Sequence, residues 1–261
     1  MTRRVAVVVA HPDDDTYGVG GTLALVAGTD LQITVILTTS GEAGQIADPS
    51  LATRSTLGAV REAEDRRSWA ALGLEPDLRP LRYPDGGVAD VPREDLVAAY
   101  ADILLETRPE VVVTFGPDGI TGHADHIAVG EAATEAFHLA RTQVDGAFRR
   151  LLYTVLSQGR LDALNEKLRA RGLEIWDPTQ PFSPRGVPED AIDVSVDCSA
   201  AFERKVDALR CHRTQGEMEG LPYELWPEVL GRDDFHIAWP EQDIAAPRRV
   251  LHDLFEGLPP A

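Results

Sequence analysis

Cysteine is nearly missing from this chain. Cys198 and Cys211 are the only two in 261 residues, which leaves no disulfide framework and no thiolate spacing for a metal, so a reducing compartment is expected. Long apolar runs are missing too: nothing approaches the ~20 residues needed to span a bilayer. "MTRR" and the apolar residues after it begin like a signal peptide, but the run is too short and then turns acidic. Together these readings place the protein in the cytoplasm. Positive charge is scarce, with 25 Lys and Arg against 43 Asp and Glu and a net charge of −18. Such a field repels nucleic acid and anionic membranes, and leaves a small neutral or polar substrate as the expected partner. No repeat, linker or low-complexity tract divides the chain. It reads as a single domain over 1–261, with a core in 1–150 and a C-terminal portion in 151–261 that contributes loops over the site.

What is present is an alternation of short apolar runs with helical patterns. "VAVVVA" (5–10), "ITVILTT" (33–39), "LRPLRY" (78–83) and "EVVVTF" (110–115) read as strands. Residues 17–28, 54–73 and 93–108 read as the intervening helices. The first and fourth strands have almost no polar interruption, as in strands buried on both faces of a parallel sheet. That order predicts an α/β protein with a doubly wound, mostly parallel sheet and helices on both faces. A helix over 124–143, a strand at 150–156, a loop over 176–190, a strand in "AIDVSVDC", a helix over 199–213 and a terminal strand "HIAW" complete a more irregular C-terminal part.

Polar residues crowd the ends of two of these strands. "AHPDDD" (10–15) follows the first strand and "GHADH" (122–126) comes soon after the fourth. Ligands of open parallel sheets bind beyond the carboxyl ends of the strands, so both clusters lie at the expected edge. Helix capping accounts for one aspartate or two. It does not account for His11 held extended ahead of Pro12. Nucleotide binding is a poor fit, because "GVGG" lacks the G-x-G-x-x-G spacing and its acidic neighbours repel a pyrophosphate. A divalent metal site fits best. Adjacent central strands bring His11, Asp14 and His126 within reach of one ion, and two histidines with one carboxylate and an open position is a hydrolytic zinc pattern.

The paired motifs "AHPDDD" and "GHADH" resemble the LmbE-like, or PIG-L, family of metal-dependent N-deacetylases, which includes the GlcNAc-phosphatidylinositol de-N-acetylase and the mycothiol-pathway deacetylase. "TTSGEAG" (38–44), "REAEDRRSWAALGL" (61–74), "YPDGG" (83–87) and "KVDALRCHRTQ" (205–215) extend the likeness over most of the chain. The resemblance implies a Rossmann-like fold and a hydrolase that removes an N-acetyl or other N-acyl group from an amino sugar or related conjugate. Carried over by position, His11, Asp14 and His126 would be ligands to zinc, or to ferrous iron or another divalent ion. Asp13 would be the general base, protonated His123 would face the substrate carbonyl, and Asp125 would tune the neighbouring histidines. Arg61 and Asp85 fall where the family contacts the sugar, and His212 is a further candidate for substrate binding. The aromatics Tyr223 and Trp226 belong either to the core or to a wall that stacks on a sugar or acyl group.

Two positions depart from the family pattern. Asp15 stands where glutamate is usual, and Thr121 stands where the mycothiol branch carries a tyrosine, which loosens the tie to that branch. Competing readings are an amidase of a larger conjugate and a metallophosphoesterase, which would need two metals and more ligands than are found. A dinucleotide-dependent oxidoreductase lacks its fingerprint. A homo-oligomer is compatible with the sequence.

Overall fold

The computed structural model describes residues 2–216, 218–241 and 249–259. Among them, seven strands form one sheet: β1 (Arg3–Val9), β2 (Leu31–Thr39), β3 (Asp77–Tyr83), β4 (Val111–Phe115), β5 (Arg150–Val155), β6 (Val194–Asp197) and β7 (Arg232–Trp239). Their spatial order is β3-β2-β1-β4-β5-β7-β6. The first five strands are parallel, while β7 runs antiparallel to both β5 and β6. β1 sits at the centre, pairing Val7 with Val35 of β2 on one side and with Val113 of β4 on the other. The chain winds away from β1 in one direction to β2 and β3, and in the other to β4 and β5. The gap between the carboxyl ends of β1 and β4 is therefore the topological switch point, where open α/β sheets take their ligands.

The connecting helices are α1 (Asp14–Gly18), α2 (Gly20–Leu25), α3 (Leu57–Ala71), α4 (Arg93–Thr107), α5 (Gly119–Gly122), α6 (Ala124–Arg141), α7 (Gln158–Ala170), α8 (Phe202–Leu209) and α9 (Trp226–Leu230). α4 and α6 form one layer and α1, α2, α3 and α8 another, as a doubly wound sheet requires. α6 buries a stripe of small residues, Ala132, Ala133, Ala136 and Ala140. At Gly130 a Cβ would come within 2.6 Å of the Phe115 carbonyl oxygen, so glycine there lets the helix lie against the end of β4. That close approach fixes where the amino end of α6 meets the sheet.

Several elements differ from the sequence reading. The expected helix at 17–28 is two short ones, broken at Val19 (φ −144°), and a side chain at Gly21 would strike Cys198 Sγ at 2.7 Å. The chain trades helix continuity for close packing beside the site. α7 falls where no element was expected, although Leu161, Leu164 and Leu168 follow helical spacing behind the capping side chain of Ser157. The terminal strand is twice the length of "HIAW" because β7 begins at Arg232 and pairs on both edges. Among the described residues, no helix is long and apolar enough to cross a membrane.

Candidate metal centre

The turn after β1 is the first wall of the site. Asp13 occupies the N-cap position of α1, yet its side chain makes no capping hydrogen bond and its backbone sits at φ 120°. A non-glycine residue held there costs on the order of 1–3 kcal/mol, strain that accumulates where function demands a geometry. Helix capping therefore does not explain this cluster. Instead, Asp13 Oδ2 accepts from Arg61 Nη2 at 2.7 Å, and Asp14 Oδ2 accepts from the His11 backbone N–H at 2.8 Å.

The second wall is the start of α6. His123 is the N-cap, its Nδ1 accepting from the Asp125 N–H at 3.1 Å. One turn on, His126 Nδ1 lies 3.1 Å from the carbonyl oxygen of Gly119, which can only accept, so Nδ1 carries the proton and Nε2 keeps its lone pair. Gly119 itself has φ 60°, and a Cβ there would fall 2.9 Å from His126 Cβ. Glycine is required for the turn that aims His126. Phe115 stacks on its ring with centroids 4.2 Å apart.

Between the walls the donors converge. His11 Nδ1 lies 3.2 Å from His126 Nε2 and 3.3 Å from Asp14 Oδ2, and Asp14 Oδ1 lies 3.4 Å from His126 Nε2. Two donors about 2.1 Å from a tetrahedral zinc sit roughly 3.4 Å apart, so these edges have the length that coordination imposes. His123 also comes within 4.8 Å of His11 and His126 through its ligand atoms, and Asp85 and Asp125 form a further group with His11. The His/Asp cluster could hold a metal ion.

On the far side of His11, its Nε2 lies 3.1 Å from Asp85 Oδ1 and 3.5 Å from Asp125 Oδ2, buried and well aligned with neither. Both carboxylates are anchored by backbone donors, Asp85 by the Ala43 N–H and Asp125 by those of Gly86 and Val88. A carboxylate behind a histidine sets its tautomer and raises its basicity as a ligand. Burial alone would lower the His11 pKa, but Asp125, Asp14 and Asp85 raise it well above the ordinary value. Burial likewise works against Asp14, yet His126 and His11 hold its carboxyl well below the usual range. His123 is lowered, chiefly by burial and then by the two neighbouring histidines.

Of the three residues expected to contact substrate, Asp85 stands beside His11 in the donor cluster, and Arg61 and His212 are buried. Arg61 is only 3% exposed, and its guanidinium bonds Asp13 and the carbonyl oxygens of Pro12 and Gly41. Asp85 faces His11. His212 is 1% exposed behind α1, its Nε2 3.3 Å from Thr16 Oγ1, and burial with the nearby Arg61 charge pushes its pKa down to about 3. It is a neutral packing group. Trp226 is buried in a small apolar cluster, while Tyr223 is exposed. The Asp125 carboxylate lies 3.5 Å from His11 Nε2, and its backbone N–H bonds His123.

One feature of "REAEDRRSWAALGL" was not read from the sequence. The buried face of α3 carries Arg61, Glu62, Glu64 and Asp65. Charged residues are almost never fully buried unless paired, and such a face is the signal that a helix backs a functional site. Phe182, exposed beside the His123 ring at 4.9 Å, is a second.

Comparison with known proteins agrees with this geometry. A family model described as GlcNAc-PI de-N-acetylase matches residues 6–137, both motifs included. The 1D-myo-inositol 2-acetamido-2-deoxy-alpha-D-glucopyranoside deacetylase of Tsukamurella paurometabola is 34% identical over 99% of this chain and 100% of its own. In fold, the chain resembles the N,N'-diacetylchitobiose deacetylase from Pyrococcus horikoshii (TM-score 0.60, 21% identity, 90% of this chain and 83% of that one). It resembles equally a 4-carboxy-2-hydroxymuconate hydratase from Pseudomonas putida (TM-score 0.61, 17% identity, 94% and 100%). A fold shared by a deacetylase and a hydratase does not choose between them. The sequence match does, and the chain belongs to the GlcNAc-PI de-N-acetylase family.

Proposed function

We propose that this protein is a metal-dependent hydrolase that cleaves the N-acetyl or other N-acyl amide of an amino-sugar glycoside. The observation that carries the reading is the convergence of three donors from two chain segments, 3.2–3.4 Å apart, beside a carboxylate that is not one of them. His11 through Nδ1, Asp14, and His126 through Nε2 would hold zinc or ferrous iron. An ion in that position lowers the pKa of a coordinated water toward ~7 and polarises the amide carbonyl.

Asp13 takes the proton as water attacks the carbonyl carbon. Arg61 fixes the carboxylate for that transfer, so the acid does not have to be oriented in each turnover. His123 acts in the neutral form: its Nδ1 is committed to the Asp125 N–H, which leaves Nε2–H to donate to the developing oxyanion. This replaces the protonated imidazole expected from the sequence. As the C–N bond breaks, Asp13 returns its proton to the leaving nitrogen, and the products are a free amine and a carboxylate. The likeness to an inositol glucosaminide deacetylase supports an amino-sugar glycoside as substrate.

The test compares zinc-loaded and chelator-stripped protein on N-acetylglucosaminyl-inositol and other N-acetylglucosaminides, measuring acetate and bound metal. Acetate that depends on one ion per chain is expected. Metal bound at two ions per chain with no acetate would move the assignment to a phosphoesterase.

A further inference from the structure

A cavity of about 400 Å³ opens directly from the donor cluster into the protein. Asp13, Asp14 and His126 line its one end, while Val7, Val9, Val113, Leu161 and Leu164 line the space beyond. Each of these five is under a tenth exposed, so this part of the wall belongs to the protein's core, while the cavity as a whole is partly open to solvent. Protein interiors pack at crystal density with few voids larger than a water. Apolar wall left facing water carries a cost that an apolar ligand removes by covering it.

The lining also lacks what a sugar would need. The charged side chains at the far end have partners: Arg160 pairs with Asp234, Glu228 with Lys167, Arg232 with Ser195 and Asp197, and Asp233 with Lys205 and Thr22, leaving the buried Arg160 Nε without a hydrogen bond among the described residues. Between them and the donor cluster the walls are mostly apolar; of the hydroxyls on them, those of Thr114 and Ser157 are bonded to the Val8 carbonyl and to Glu189, and Thr154 contributes another. A sugar hydroxyl against the apolar part of the wall would lose water without gaining a partner, whereas an alkyl chain would cover that surface at no such cost. An acetyl methyl, on the order of the ~30 Å³ that one water occupies, would leave most of the cavity empty.

We infer that this cavity receives the acyl portion of the substrate, and that the protein prefers N-acyl amino sugars whose acyl chain is longer and more apolar than acetyl. The inference rests on the amide-hydrolase reading above. With the amide carbonyl at the donor cluster, its acyl carbon chain runs past Asp13 and His126 into the cavity. The glycoside stays on the outer side, where His123 and the exposed Phe182 stand.

Two measurements on the zinc-loaded protein test this. In the first, calorimetry follows binding of acetate, butanoate, hexanoate and octanoate, the carboxylate products of such a series. Each buried methylene contributes about a 4-fold gain in affinity, so binding should tighten steeply to hexanoate. Equal affinity across the series would overturn the inference. In the second, amine release is followed from N-acetyl-, N-butanoyl-, N-hexanoyl- and N-octanoyl-glucosamine glycosides. A kcat/KM that rises at least 10-fold from acetyl to hexanoyl is expected, and a fall with length would overturn the inference while leaving the deacetylase reading intact. Graded carboxylate binding with no amine released from any substrate would instead overturn the amide-hydrolase reading. Leu161→Trp and Val229→Phe, which narrow the cavity from two different helices, should each lower the hexanoyl-to-acetyl ratio of kcat/KM at least 10-fold. An unchanged ratio in a folded variant would also count against it.

Discussion

Asp14 and Asp15 are neighbours in sequence, yet they belong to two different regions. In front of α1, Asp14 lies among His11 and His126, and those histidines hold its carboxyl well below the usual range although burial opposes them. Behind α1, Asp15 is fully buried and accepts from Trp69 Nε1 at 2.6 Å and from the Thr16 N–H at 2.7 Å. There burial dominates those hydrogen bonds, the Asp13 and Asp14 charges add to it, and the Asp15 pKa is pushed up to about 7. Asp65 of α3 lies in the same rear pocket, its pKa raised well above the ordinary value by burial and by the charges of Asp15 and Asp13. Identical side chains are thus tuned in opposite directions across one helix. Asp14 in front is held toward the ionised form among the histidines, and Asp15 and Asp65 behind are pushed toward the protonated form by burial.

The sharpest way to break this contrast is at Asp13, which belongs to the front. Asp13→Asn should lower kcat by about 10²–10⁴-fold, the usual contribution of a positioned acid–base group. Bound zinc should remain at the wild-type level, measured by elemental analysis. Loss of the metal along with activity would make Asp13 a ligand instead of the base.

Arg61→Lys probes the link between the two regions at smaller cost. A lysine supplies a point charge without the planar fork that spans Asp13, Pro12 and Gly41. A decrease in kcat of roughly 10–100-fold with little change in KM is expected. A rise in KM with kcat preserved would return Arg61 to the sugar-binding role first expected of it.

The smallest effect is one of stability and belongs to the rear. An unfolded aspartate titrates near 3.9, and the folded Asp65 pKa is raised, so the folded state holds the extra proton between those values. Stability is therefore present at low pH and lost as pH rises through the folded pKa. Asp65→Asn, neutral at every pH, should raise the unfolding free energy at pH 8 by on the order of 1–3 kcal/mol and change it little at pH 4.5. Urea midpoints at the two pH values decide this. Equal effects at both would mean that Asp65 is ionised in the folded protein.

Much of the front region was legible. Uninterrupted valines marked β1 and β4 as central, and the two His/Asp motifs at their carboxyl ends pointed to one ion because strand order alone brings such ends together. The rear region was not legible, since α3 reads as an ordinary charged helix until its position behind α1 shows which charges are buried. The surroundings of Arg61 and His212 were hidden for the same reason: sequence gives a side chain's chemistry, and only packing says whether it meets solvent. α7 was readable from its leucine spacing, whereas the antiparallel direction of β7 was not, because an alternating strand pattern carries no sense of direction.

By itself the sequence determined the α/β layering, the edge where the site lies, the two His/Asp motifs whose cluster could hold a metal, and the family. Those follow from periodicity and from motifs a few residues long, which local geometry nearly fixes. Tertiary structure alone decided that His11 turns Nδ1 toward the cluster and Nε2 toward Asp85 and Asp125, that Arg61 holds Asp13, and that an apolar cavity lies behind the donors. Each depends on segments far apart in the chain meeting at defined distances, and no short stretch of sequence encodes that.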